Sequence, residues 1–230
     1  MLPLYPIDLA AKLIKSAALD SEFRSKRIRI SIAKKYPPRL TGELVRVLAS
    51  KGQGDIASGF LVTFCGRGAV DVANVLFDLG MDFSEGGVHA PSMLTWFGWD
   101  ATPERFNSMI GLLGDLRPVD KEQAMEVMFS SAARHQDAAE LNELIGSLEV
   151  DLQVKMMEHV ARVREVAGVP RLIDELRQHS RQDLVISLFG QFAKERPQAA
   201  AELADLLLDL EFLQDAGVLL ENLEKVTREV

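Results

Sequence analysis

The stretch that decides the fold is Ala139-Glu140-Leu141-Asn142-Glu143-Leu144-Ile145-Gly146-Ser147-Leu148. Leu141, Leu144, Ile145 and Leu148 stand at i, i+3, i+4 and i+7, which is one stripe of an α-helix. The stretch also recurs. Leu141 maps to Leu172 and Leu203, and Ile145 to Leu176 and Leu207, each by a step of 31 residues. Ala139-Glu140-Leu141 matches Ala201-Glu202-Leu203 letter for letter. In the other direction, Met109-Ile110-Gly111-Leu112-Leu113-Gly114-Asp115-Leu116 matches residues 141–148 with a step of 32. A second series, Met157, Leu188 and Leu219 with Ala161, Phe192 and Leu223, keeps the step of 31, and Met125 and Phe129 extend it backwards by 32.

A period of 31 holds two helices of about a dozen residues and two short turns, the helical hairpin of a repeat protein. One hairpin cannot bury its own stripe, so neighbours must stack. The expected fold is all-α, a right-handed α-solenoid of stacked antiparallel helical hairpins with a repeat of about 31–32 residues. Over residues 102–230 the pattern resembles the tetratricopeptide-like and HEAT-like α-solenoids. That resemblance implies a scaffold or adaptor that binds another macromolecule along an exposed face. The units here are shorter than the tetratricopeptide unit of about 34 residues and carry no Trp.

The whole chain, 1–230, reads as a single all-α domain. Residues 1–80 read as degenerate hairpins carrying a basic patch, 81–101 as an aromatic insert, and 102–230 as the regular repeats. Helices are expected over 7–18, from Asp20 or Ser21 to about Tyr36, then over 41–51, 54–65 and 69–79, with Gly52, Gly66, Gly68 and Gly80 as stops. Arg27-Ile28-Arg29-Ile30-Ser31-Ile32 alternates like a strand. It is read as helix, because a strand without a partner leaves its backbone groups unpaired. Residues 80–100 break the period, are read as an irregular insert, and hold both tryptophans, Trp96 and Trp99. Thr102-Pro103-Glu104 then gives a cap, a Pro at the first helical position and an acid in the first turn. Repeats begin near Thr102, Gln136, Gly168 and Pro197.

The chain has 230 residues, is 47% hydrophobic and 26% charged, and carries a formal net charge of −8. That composition excludes global disorder and makes the whole surface a poor match for a polyanion. The charge is uneven. Residues 1–50 hold ten Lys or Arg against four acids, +6, and residues 51–230 hold 16 bases against 30 acids, −14. Opposite ends of this kind point to two partners or to head-to-tail self-association, so a homo-oligomer is among the expectations. A single cysteine, Cys65, excludes an internal disulfide framework. The first residues lack the basic start and apolar core of a secretion signal, and no apolar run has the length of a membrane span. No membrane insertion and a cytoplasmic location are expected.

No catalytic constellation emerges, so no catalytic residue, metal or cofactor is expected. His89, His135, His159 and His179 do not pair at i, i+4 and are read as solvated or helix-terminal. Ser31-Ile32-Ala33-Lys34 matches Ser-x-x-Lys, but its companion elements are absent. Gly52-Gln53-Gly54 and Gly66-Arg67-Gly68 complete no phosphate-binding loop. Cys65 has Arg67 nearby yet lies on an apolar stretch with Phe60 and Phe64, and is read as a buried, inert thiol.

Three features point to binding. Trp96, Phe97 and Trp99 are candidate protein anchors, since Trp is enriched where interfaces are strongest. Glu143, Asp174 and Asp205 are related by the same step of 31 and lie roughly 160° from their apolar stripes, an acidic ladder for a basic peptide. Arg24, Lys26, Arg27, Arg29, Lys34 and Lys35 form a basic cluster for phosphates or an acidic protein. The leading expectation is a non-enzymatic helical-repeat adaptor or scaffold that binds a protein or peptide. The alternatives are a nucleic-acid-binding helical-repeat protein using the basic cluster, and an α-solenoid enzyme acting on a macromolecule. The enzyme would need Asp82, Glu85, Asp100 or Glu104 near the aromatic insert.

Overall fold

The computed structural model describes residues 5–20, 22–79 and 89–229. Among them the chain forms only helices: α1 (Ile7–Asp20), α2 (Glu22–Lys35), α3 (Pro38–Ser50), α4 (Gly54–Phe64), α5 (Ala69–Leu79), α6 (His89–Asp100), α7 (Pro103–Leu113), α8 (Pro118–His135), α9 (Ala138–Ser147), α10 (Val150–Val163), α11 (Val169–Gln178), α12 (Gln182–Glu195), α13 (Pro197–Asp209) and α14 (Leu213–Glu229). A turn of 3₁₀-helix, Val166–Gly168, precedes α11. The alternating Arg27–Ile32 stretch lies within α2. Ser21, the second proposed cap of α2, lies outside the described residues.

The chain divides into two compact units, Met1–Met128 and Phe129–Val230, with the boundary inside α8. In the first unit the odd-numbered helices pack in series, α1 on α3, α3 on α5 and α5 on α7, and the even-numbered ones likewise, α2 on α4 and α4 on α6. In the second unit α9 packs on α11, α10 on α12 and α12 on α14, and α13 packs on both α12 and α14.

The repeated positions account for this packing. Leu141, Leu172, Leu203, Ile145, Leu176 and Leu207 are each fully buried, as are Met157, Leu188 and Leu219 of the second series. Each such side chain contributes about 1.5–3 kcal/mol relative to an exposed one. The helix starts follow from local chemistry. Thr102, Gly168 and Arg196 are N-caps ahead of Pro103, Pro170 and Pro197 in the first turn. Asp137 caps α9 in a reciprocal box: its carboxylate accepts from Glu140 N at 2.9 Å, while Glu140 Oε2 accepts from Asp137 N. α3 begins at Pro38, three residues before the expected start, because a proline is pre-set for the first turn.

The turns repeat as well. Gly52, Ser180 and Glu211 have φ of 69°, 58° and 64°, left-handed residues just past α3, α11 and α13. In each the next amide reaches back to the last turn: Gln53 N to Leu48 O, Arg181 N to Leu176 O and Phe212 N to Leu207 O. This is a Schellman closure, in which glycine is favoured because a Cβ is strained at positive φ.

Residues 89–100, read from sequence as irregular, form helix α6. Met93, Leu94, Phe97 and Ala101 are buried at i, i+1, i+4 and i+8, one helical stripe. Two tryptophans and a glycine, Gly98, mask that stripe in the composition. Residues 80–88 lie outside the described residues.

The carboxyl ends of four even helices, α2, α4, α8 and α10, share one solution. The last carbonyls of a helix lack intrahelical donors and carry the negative end of its dipole. Arg67 Nη1 donates to Ala33 O and Tyr36 O at 3.3 and 2.6 Å, closing α2. Arg105 Nη2 donates to Cys65 O and Arg67 O at 2.5 and 2.9 Å, beyond α4. Arg164 Nη1 donates to Ala133 O and Gln136 O at 2.8 and 3.1 Å, closing α8. Arg196 Nη1 donates to Ala161 O and Arg164 O at 3.3 and 2.9 Å, closing α10. Each guanidinium thus ties the end of one hairpin to the end of the hairpin before it. Arg67, Arg105 and Arg196 also lie over the rings of Phe64, Phe97 and Phe192 at 5.0, 5.1 and 5.9 Å.

Two stability changes follow. Arg164 is 8% exposed, and burial lowers its pKa. Arg164→Met leaves two buried carbonyls without their donor and is expected to cost about 2–4 kcal/mol in urea unfolding, whereas a loss under about 0.5 kcal/mol would deny it that role. Ser180→Gly relieves the positive φ and is expected to add about 0.5–1 kcal/mol, with Ser180→Val shifting the midpoint the other way.

Candidate functional site

α6 shows two faces to its surroundings. The stripe Met93, Leu94 and Phe97 packs inward, and at 100° per residue Trp96 and Trp99 fall on the other side. The two indoles stack on one another, with ring centroids 4.6 Å apart and planes 29° apart. They remain 37% and 42% exposed. Phe97, grouped with them on sequence, is 1% exposed and belongs to the core, since one residue of helical rotation carries it onto the apolar stripe. Isolated exposed apolar residues are ordinary on protein surfaces; here two of the largest side chains are exposed as a stacked pair beside a groove.

The groove lies where α4 packs on α6 and has a volume of about 360 Å³. Val62, Thr63, Cys65, Trp96, Trp99 and Asp100 line it. Its floor is held by Arg105, which donates to Cys65 O, Arg67 O and Asp100 O and stands 3.9 Å from the Asp100 carboxylate. Arg67, next along the loop, pairs with Asp71 at 2.6 Å. Both cations are therefore engaged in closing helices. Asp100 keeps a side chain 77% exposed at the rim.

Cys65 Sγ is 3.6 Å from Met93 O, and the residue is 5% exposed. Burial pushes its thiol up to about 12; Arg105 pulls it down by a lesser amount and Asp100 adds to the rise. The positive charge that acts on the sulfur is Arg105, and Arg67, singled out on sequence, is turned towards Ala33 and Tyr36. The thiol is packing, with no reactive thiolate at neutral pH.

The acidic ladder sits on α9, α11 and α13, where Glu143, Asp174 and Asp205 are all exposed. The basic cluster is divided. Arg24, Lys26, Arg27, Lys34 and Lys35 are exposed on α2, and all but Lys26 fall within about 100° of helix circumference. Arg29 lies apart from them, its guanidinium seated where a Cβ on Gly59 of α4 would stand. It serves the contact of α2 with α4 and is lost to the cluster.

A second groove, of about 510 Å³, lies at the turns α11–α12 and α13–α14. There Arg177 pairs with Asp215. Burial pushes the Asp215 carboxyl above the usual range, against the opposing pull of Arg177.

The histidines differ from their sequence reading at one position. His135 and His179 are exposed near helix ends, and the side chain of His89 is outside the described set. His159 is 1% exposed in α10. Its Nδ1 is 2.9 Å from Ser130 Oγ, and its ring is 5.6 Å from that of Phe129. A serine beside an imidazole is the start of a nucleophilic pair. With the ring enclosed in the core, no substrate reaches it, and the hydrogen bond satisfies a buried polar group instead. Of the acids weighed for an enzyme, Asp100 lies at the aromatic groove, Glu104 is exposed on α7, and Asp82 and Glu85 are outside the described residues. Among the described residues no group of three or more His, Cys, Asp or Glu is placed to hold a metal ion, and no helix is long and apolar enough to cross a membrane.

Sequence reasoning missed the four arginines. A partial signal was present, since Arg164 and Arg196 stand 32 apart, one residue longer than the leucine step of 31.

No protein-family model matches the chain, and neither a curated protein nor a solved structure matches it.

The thiol offers a direct check on this geometry. At pH 8 the native protein is expected to react with a disulfide reagent about three orders of magnitude more slowly than the urea-unfolded chain, because both the thiolate fraction and access fall. Equal rates would place Cys65 at the surface.

Proposed function

We propose that the chain is a non-enzymatic helical-repeat adaptor that holds a segment of another protein in the Trp96–Trp99 groove. The observation that carries this reading is the stacked, half-exposed indole pair at the edge of an open groove. Tryptophan anchors give large contact area at low entropic cost and dominate binding energy where they occur. Phe97 takes a supporting part, fixing α6 from below.

The finer architecture belongs to the same proposal. Within each unit the helices form stacked antiparallel hairpins, a right-handed α-solenoid with a repeat of about 31–32 residues. Support comes from the serial packing of odd on odd and even on even helices, and from arginine contacts that reach back 31 or 32 residues at Tyr36, Ala133 and Arg164. A stack of this kind presents long faces, and a partner segment lies along one of them.

Both tryptophans of the chain are in this groove, so intrinsic fluorescence reads it without a label. Selection of a random-peptide library on the purified chain is expected to return peptides that change that fluorescence. Each Trp→Ala substitution, Trp96→Ala and Trp99→Ala, with unchanged circular dichroism, is expected to weaken those peptides by about 30-fold, a loss of about 2 kcal/mol. Selected peptides that bind the double variant as well as the native chain would overturn the reading.

A further inference from the structure

The chemistry around the groove narrows what it accepts. α4 and α6, the helices that border it, carry two carboxylates, Asp55 and Asp100, and neither a lysine nor an arginine. Arg67 and Arg105, on the adjoining loop and helix, are committed to backbone carbonyls, and Arg29 is seated against Gly59 of α4. Arg105 is only 24% exposed, with its guanidinium over the Phe97 ring, so it offers little to an incoming anion. At the rim the Asp100 carboxylate is exposed beside the indole stack. Within the unit that holds the groove, residues 51–128 carry five Lys or Arg against 11 acids, −6, set apart from the +6 of residues 1–50.

Resting on the adaptor reading, we propose that the occupant is an extended basic segment that lays an arginine on the indole stack and pairs it with Asp100. A guanidinium is planar, weakly hydrated and stacks on aromatic faces, so it adds to two stacked indoles as a further layer. Its edge keeps N–H donors free for a carboxylate alongside. Lysine supplies the charge without the flat face, and a neutral aromatic supplies the face without the charge. An acidic segment meets Asp100 and is turned away. The groove is half open to solvent, which fits a side chain laid across it rather than a small molecule enclosed within it.

The test uses the full chain and two acetylated, amidated nonapeptides, three copies of Gly-Arg-Ala and the same sequence with citrulline in place of every arginine. Citrulline keeps the shape and removes the charge. Tryptophan fluorescence is titrated at about 50 mM and about 300 mM salt. The arginine peptide is expected to bind at least about tenfold more tightly than its twin at low salt, with the margin shrinking at high salt. Asp100→Asn is expected to weaken the arginine peptide by about three- to tenfold and leave the twin unchanged. Trp99→Ala is expected to remove binding of both. Equal binding of the two peptides, a margin untouched by Asp100→Asn, or no response to the arginine peptide up to millimolar concentration would each overturn the proposal. Library selection separates the two levels. Tryptophan-dependent binders that are uncharged or acidic sink this inference and leave the adaptor reading standing. No tryptophan-dependent binder at all sinks both.

Discussion

A helix end packed against its neighbour leaves carbonyls with restricted access to water, and this chain meets that constraint with arginine. Arg67, Arg105, Arg164 and Arg196 each place one guanidinium nitrogen on two carbonyls at or just past the carboxyl ends of α2, α4, α8 and α10 respectively. The positive charge also opposes the negative end of the helix dipole. Because each donor comes from the next hairpin in the chain, the bond does two things at once. It satisfies an end that α2, α4, α8 or α10 cannot satisfy alone, and it fixes the register in which one hairpin follows another. Apolar stripes are tolerant of small slides along a helix. A charged group on two carbonyls is not, so the arginines set register where the leucines supply adhesion.

The same constraint builds the groove. Arg105 bonds to Cys65 O and Arg67 O beyond α4, and to Asp100 O at the end of α6, so one side chain holds both walls. With α6 held by its Met93, Leu94 and Phe97 stripe, helical rotation carries Trp96 and Trp99 to the other side, where they stay 37% and 42% exposed. The exposed indoles are thus a consequence of how the scaffold closes. The burial that raises the Cys65 thiol belongs to the same closure.

Much of the scaffold was legible in the sequence because burial and periodicity speak the same language. Leu141, Leu172 and Leu203 repeat in the letters and are all enclosed in the structure, and the caps at Thr102 and Gly168 fall at the expected starts. α6 was not legible, since a glycine and two tryptophans hide a stripe of only four inward residues. The arginines escaped notice because a charged side chain reads as solvated until the carbonyls it serves are located, and those lie a full repeat away. His159 escaped for the mirror reason: its partner Ser130 is 29 residues distant. For the site, sequence singled out Trp96 and Trp99 by rarity alone. Helical rotation removed Phe97 from the set, and Gly59, which leaves room for Arg29, removed a member of the basic cluster.

The arginine ties are the central claim, and nuclear magnetic resonance of the guanidinium protons reads them directly. A guanidinium held on buried carbonyls exchanges its protons slowly with water, and one in solvent exchanges at once. Arginine-selective labelling, with each signal assigned by single Arg→Lys variants, is expected to show slow groups at Arg67, Arg105, Arg164 and Arg196, and a fast one at the exposed Arg171. Fast exchange at all four would contradict the account, leaving the hairpins held by apolar packing alone.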